Sequence, residues 1–206
     1  MIHRKFVLFC FVLTFLGCKP NVPEYAISAT LNPTGISPLT AILNFETEGN
    51  VGGSYKVMGP TIVEQSFNLK AGKNQIPIYG LYPNKNNKIN LSLDFGTLFI
   101  QDSIDIQTGA IPNFFPEIEI EKSDRSKMED GLHLCDVHYA RYGKYHSIPM
   151  VFDDQGQIRW YLDCSFFDNI LWPIQKLENG NLLLGGKSKI FEYDLLGNVI
   201  KESNLP

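Results

Sequence analysis

Three residues that bind metals stand close together in the stretch LHLCDVH: His133, Cys135 and His138, with His146 a short distance beyond. Imidazole and thiolate are the ligands of structural zinc, so the spacing raises a metal site. On a β-strand, however, side chains alternate between faces, which puts His133 and Cys135 on one face and His138 on the other. One face then offers two ligands where a closed zinc site needs about four. The segment is read as a polar strand that holds no metal. Arg159 could bind an anionic ester, but an arginine beside a turn in an outer strand reads as a solvated or edge residue. Trp160 and Trp172 read as packing between sheets rather than as platforms for an aromatic ligand. No side chain is assigned to catalysis, and none to a cofactor.

The first residues concern export rather than structure. In MIHRKFVLFCFVLTFLGC the basic His3-Arg4-Lys5 precedes an apolar run from Phe6 to Leu16. That run is too short to span a bilayer, so residues 1–17 read as a secretory signal. The following Gly17-Cys18 resembles a bacterial lipobox, although Phe15 and Leu16 depart from its usual residues. Lipidation is therefore expected at Cys18, with 18–24 as the tether. Removing 1–17 takes Arg4 and Lys5 from the 18 basic side chains, so 16 face 22 acidic ones and the formal charge moves from −4 to −6. With no basic stripe to neutralise phosphates, nucleic acid is not expected as a partner. Cys10 leaves with the signal. Beyond Cys18 the exported chain holds Cys135 and Cys164, and a disulfide between them stays open, because spacing cannot supply the geometry.

The elements that would position these residues are short strands. Composition is globular, with 44% hydrophobic and 12% aromatic residues. From Tyr25 to Glu121, seven runs stand between Gly and Pro punctuation: YAISATLNP, TAILNFETEG, SYKVMG, VEQSFNLKAG, NKINLSLDFG, LFIQDSIDIQ and EIEIEK. Alternation in Ile89-Leu91-Leu93-Phe95 is that of a half-buried antiparallel strand. Seven such runs predict a β-sandwich over 25–121. The charged stretch Glu121 to Asp130 reads as a linker, and 122–147 as linker plus a junction strand.

A repeat follows. In MVFDDQGQIRWYLD, Asp153 and Gly156 bracket a turn, and Asp194 and Gly197 bracket another in FEYDLLGNVIKESNLP, 41 residues on. Between them lies a hairpin with Asn-Gly at 179–180. A period of about 40 to 45 residues holding four short strands is that of a β-propeller blade. The fold class expected is all-β: an N-terminal Ig-like β-sandwich and, over 148–206, an incomplete β-propeller of about one and a half blades. Leu182, Leu184, Ile190, Phe191 and Val199 are expected to lack a covering neighbour. A truncated longer protein is the corresponding expectation.

Two sets of motifs then point to a family. NPTGISPLTA at 32–41 and IPIYGLYPNKNNKINL at 76–91, with FDDQGQIRWYLD, LENGNLLLG and EYDLLGNVIKESNLP further on, resemble the bacterial arylsulfotransferases. That resemblance implies a periplasmic, nucleotide-independent transfer of a sulfuryl group from a phenolic sulfate ester to a phenol. It also implies a nucleophilic histidine in the propeller channel, with further histidines and an arginine that stabilise charge. Segments matching those residues are missing from this sequence, so the 206 residues are expected to be inactive alone. The partners implied are the sulfate ester, the phenol and a membrane reached through the lipid; a homodimer stays open. The expected location is the cell envelope, as a periplasmic or outer-membrane lipoprotein. The rival reading is a binding lipoprotein of the cell envelope whose sandwich recognises a partner without catalysis.

Overall fold

The computed structural model describes residues 23–122, 124–128, 131–141, 144–167 and 170–205. The signal segment, Cys10 and the lipidation candidate Cys18 lie outside them. So do Ser123 and Asp130 of the charged stretch.

Seven strands build the first half: β1 Tyr25–Leu31, β2 Ala41–Thr47, β3 Val51–Val57, β4 Val63–Leu69, β5 Gly72–Ile78, β6 Asn86–Asp94 and β7 Phe99–Gln107. They pair antiparallel in two sheets, β1-β2-β5 and β4-β3-β6-β7. Period-two patterning fixes the faces. In β6, Ile89, Leu91 and Leu93 are completely buried, and they face Leu43, Phe45 and Ile76 across the sandwich core. Each such side chain contributes about 1.5–3 kcal/mol of burial. At the margin, Tyr25 stacks on Phe45 at 5.5 Å between ring centres and donates its hydroxyl to Asp102 at 2.9 Å.

Seven strands are present, but not the expected seven. EIEIEK at 117–122 forms no strand. Its alternation supplies one apolar side chain that is used, Ile118, which packs against the core while Ile120 stays exposed. The seventh strand is β5, GKNQIPI, which runs alongside β2 from Thr47↔Gly72 to Ala41↔Ile78. Its polar start and Pro77 hide it from propensity. A proline is tolerated because β5 is an edge strand, with one side that needs no donor.

The second half holds β8 His133–Arg141, β9 Lys144–Phe152 and β10 Ile158–Tyr161 in one antiparallel sheet, ordered β10-β9-β8. The next sheet holds β11 Ile174–Lys176, β12 Leu182–Gly186, β13 Lys189–Tyr193 and β14 Val199–Asn204 in sequential order. Four antiparallel strands in sequential order form one propeller blade. The described residues are thus all-β, with one short 3₁₀ turn among them at Arg125–Lys127.

Both Asp-x-x-Gly turns close the same way. Asp153 and Asp194 each accept the amide of the glycine three residues on, at 2.9 and 3.0 Å, through their backbone carbonyls. Their carboxylates also accept turn amides: Gln155 and Gln157 for Asp153, Asn198 for Asp194. Gly156 and Gly197 have φ of +75° and +92°, which favours glycine.

The sheets cover one another more fully than the sequence suggests. Leu182, Leu184 and Phe191 are buried against Trp160 of β10 and against Leu162, Cys164 and Leu171 of the connection that follows it, so their cover comes from that strand and connection. Of the five residues expected to lack cover, Val199 is plainly exposed, at 51%. Leu184→Ala should therefore cost about 2–5 kcal/mol, whereas Val199→Thr should stay within about 0.5 kcal/mol. Urea unfolding followed by tryptophan fluorescence checks both.

Candidate functional site

The histidines do not converge. His133 and His138 sit five residues apart on β8, roughly 16 Å along an extended strand. His133 leans on the Phe152 ring, 5.3 Å between centres. His138 Nε2 lies 2.6 Å from Asp136 Oδ2. Burial raises the Asp136 pKa from its ordinary value, against the lowering pull of His138. His146 is buried beside Tyr139, and its Nδ1 lies 3.1 Å from the Phe167 carbonyl, so Nδ1 carries the proton. Among the described residues, no group of three His, Cys, Asp or Glu side chains could hold a metal. Cys135 and Cys164 are free thiols, half-buried and buried. Burial, with Asp136 adding, pushes the Cys135 pKa up; burial does the same more strongly for Cys164.

Arg159 is neither solvated nor an edge residue, and it does not face a ligand: it is fully buried. Its Nε and Nη2 donate to the Gly80 carbonyl at 3.0 and 2.7 Å. Its Nη1 donates to the Thr61 carbonyl at 2.9 Å and to Asp153 Oδ2 at 3.0 Å. The guanidinium lies 3.6 Å from the centre of the Tyr82 ring, a cation–π contact. Tyr82 in turn accepts the Thr61 amide and donates to the Thr61 carbonyl. Asn87 pins Tyr82 by accepting its amide at 2.7 Å and donating to its carbonyl at 2.9 Å. Gly80 needs to be glycine: its φ is +74°, and a Cβ there would meet Val63 Cγ2 at 2.7 Å.

The GLYP stretch of the sandwich and the D-x-x-G-x-x-R stretch of the second half are thus the two sides of one junction. NPTGIS supplies a second contact. Ser37 Oγ donates to the Leu195 carbonyl at 3.0 Å and Thr34 Oγ1 to the Leu196 carbonyl. Trp160 Nε1 also donates to Leu195, at 2.7 Å. Trp160 packs between sheets as the sequence predicts, whereas Trp172 is 79% exposed. Separately, an open hollow of about 650 Å³ lies on the outer face of β1-β2-β5, lined by Ser28, Asn44, Glu46, Lys73 and Gln75 among others. No histidine is among its lining residues. One signal for the junction was readable: a lone arginine in the otherwise apolar IRWYL, with aspartate in the turn before it.

Comparison with known proteins matches two parts of one family in tandem: the arylsulfotransferase Ig-like domain over residues 28–109 and the arylsulfotransferase (ASST) model over 117–206. The chain belongs to the arylsulfotransferase family. Arylsulfate sulfotransferase AssT of Lelliottia amnigena is 24% identical over 92% of this chain, and that of Escherichia coli O6:H1 (strain CFT073) is 23% identical over 92%. The chain spans 41% of the length of each of these relatives. In this arylsulfotransferase chain, four of the five motifs that carry the resemblance reach the sandwich–blade junction, LENGNLLLG forms the β11–β12 hairpin, and none surrounds a cluster of histidines. Among the described residues no helix is long and apolar enough to cross a membrane.

Arg159→Met leaves Asp153 buried without its cation and should cost about 3–5 kcal/mol. Adding Asp153→Asn should recover part of that loss, because the stranded charge is gone and the turn acceptor is kept. Urea unfolding of the two single variants and the double variant measures the coupling. Because raised thiol pKa values reduce the reactive thiolate, alkylation at neutral pH should be slow at Cys135. It should reach Cys164 only on unfolding, as read by mass spectrometry.

Proposed function

We propose that this chain is the sandwich and first blades of an arylsulfate sulfotransferase, an enzyme that moves a sulfuryl group from a phenolic sulfate ester to a phenol. The observation that carries the reading is the tandem match of two arylsulfotransferase models, whose segments this structure fastens together through Arg159. Within that reading the described residues are scaffold. Transfer through a histidine needs the nucleophile and its charge-stabilising partners at one point. His133, His138 and His146 are instead engaged separately by Phe152, Asp136 and the Phe167 carbonyl. The 206 residues therefore have no turnover of their own. Residues 1–17 direct export, Cys18 carries lipid, and the 18–24 tether holds the sandwich (25–121) and the propeller strands at the cell envelope. More than one acyl chain is needed for a stable hold.

Purified chain should release no phenol from an aryl sulfate above background, with or without a phenol acceptor. Release that disappears on replacing His133, His138 or His146 would move the active site into this region. Mass spectrometry of the mature N-terminus should find lipid on Cys18, and an unmodified terminus elsewhere would remove the anchor.

A further inference from the structure

The strands of the sandwich share two ends. One end carries Gly80, Thr61 and the NPTGIS stretch, which are fastened to the second half. The other gathers Tyr25, Thr47 and Gly72, paired across one sheet, and Val51 with Leu69 and Asp94 with Phe99 in the other. Strands of seven to nine residues hold the two ends about 23–30 Å apart. The chain enters β1 at the end away from the blades. Seven residue steps separate Tyr25 from Cys18, at most about 25 Å of extended chain.

At that same end the β6–β7 connection reads Phe95-Gly96-Thr97-Leu98, and from Phe95 to Gln101 no side chain is charged. The Phe95 amide donates to the Leu98 carbonyl at 3.0 Å, and Asp94 Oδ1 accepts the Gly96 amide at 2.7 Å, with Gly96 at φ +83°. Phe95 and Ile100 pack against the sandwich core, but Phe99 is 73% exposed. The turn is also tied to the start of β1. The Phe95 ring lies 5.8 Å from the Tyr25 ring, and the Tyr25 hydroxyl donates to Asp102 of β7, three residues beyond Phe99.

We propose that the β6–β7 turn, with Phe99 at its rim, rests in the headgroup region of the membrane that holds Cys18, so that the sandwich stands between the bilayer and the blades. This rests on the reading of Cys18 as lipidated and is independent of sulfuryl transfer. The reach of the chain names the occupant. Tyr25, against which the turn packs, cannot leave a radius of about 25 Å around the anchored residue. An exposed phenylalanine kept that near a bilayer meets its interface at a high effective concentration, although one aromatic side chain alone is too small an anchor. Charge does not draw this end to acidic lipid: Glu24, Glu46, Glu48 and Asp94 stand near it against Lys70 and Lys73. The contact is therefore made with zwitterionic lipid and is lost with the anchor. Asp94 lies directly across from Phe99, and its carboxylate stays with water, which keeps the contact shallow.

Depth-dependent quenching tests this. The chain from Cys18 onward, with a hexahistidine tag ahead of Cys18, is held on phosphatidylcholine vesicles through a nickel-chelating lipid. Phe99→Trp in a Trp172→Phe background is the reporter, and the buried Trp160 is the internal reference. Emission of the reporter should shift to the blue on attachment. Lipid brominated near the glycerol end of its acyl chains should quench it about twofold more than lipid brominated near the terminal methyl, as for a side chain at the headgroup boundary. Imidazole, which releases the protein, should abolish both effects. Trp172 of the unaltered chain lies beside Gly185, at the blade end remote from the sandwich, and should not be quenched. A reporter that does not respond to attached vesicles, stronger quenching from the methyl end, or equal quenching of Trp172 would overturn the proposal. So would a blue shift that grows with protein concentration without vesicles, since a second copy would then cover Phe99. Mass spectrometry of the native N-terminus is the separate arm for the anchor. An unmodified Cys18 would overturn the anchor, and with it a docking that the anchor must maintain, whatever the nickel-held protein shows.

Discussion

Arg159 carries a permanent positive charge into a place without water, and the rest of the molecule is arranged around that fact. Moving such a charge out of water costs several kcal/mol, which a counter-charge and hydrogen bonds to its donors must offset. Four of its five N–H groups are met, by the Gly80 and Thr61 carbonyls and the Asp153 carboxylate. Two of those partners belong to sandwich loops and one to the first blade turn. The geometry is right only when both parts are in place, so folding of one half is tied to the presence of the other. The core reflects this: Ile148, Met150, Ile158 and Tyr161 of the second half belong to the same apolar cluster as the sandwich strands.

That arrangement explains why the family motifs look as they do. A glycine sits at position 80 because its carbonyl must turn toward the guanidinium at positive φ, and an aromatic at 82 because the same cation needs a face to lie on. Aspartate at 153 serves two masters: one oxygen closes its own turn and the other holds the arginine. Residues that look like candidates for binding a sulfate ester are thus consumed in joining the parts. Function in such a family lives in sites grafted on the fold, and the joint is part of the graft's support.

Much of this was legible in the sequence, and the failures have physical causes. Strand β6 announces itself because Ile89, Leu91 and Leu93 alternate with polar residues, and the blade turns do so because Asp and Gly recur at a fixed offset. The EIEIEK run misled because alternation shows what could line one face of a strand, not that a partner strand lies beside it. Strand β5 was hidden because its role is set by β2 next to it, with polar residues outward and a proline on an unpaired edge. The buried state of Arg159 was invisible for a related reason: two of its three partners, the Gly80 and Thr61 carbonyls, lie about 80 to 100 positions earlier in the chain, and only tertiary structure brings them near.

The two ends of the blade strands are not equivalent. At one end, the turn at 194–197 is held by Thr34, Ser37 and Trp160 through the Leu195 and Leu196 carbonyls, and a Cβ on Gly197 would meet Ile36 and Thr34 at 2.7 Å. At the other end, the β12–β13 connection at Lys187 and Ser188 is exposed and lies away from the sandwich. Sequence length is therefore free to vary at 187–188 and is frozen at 194–197. Any loop that grows to shape access for a small molecule grows from the end that the sandwich leaves bare.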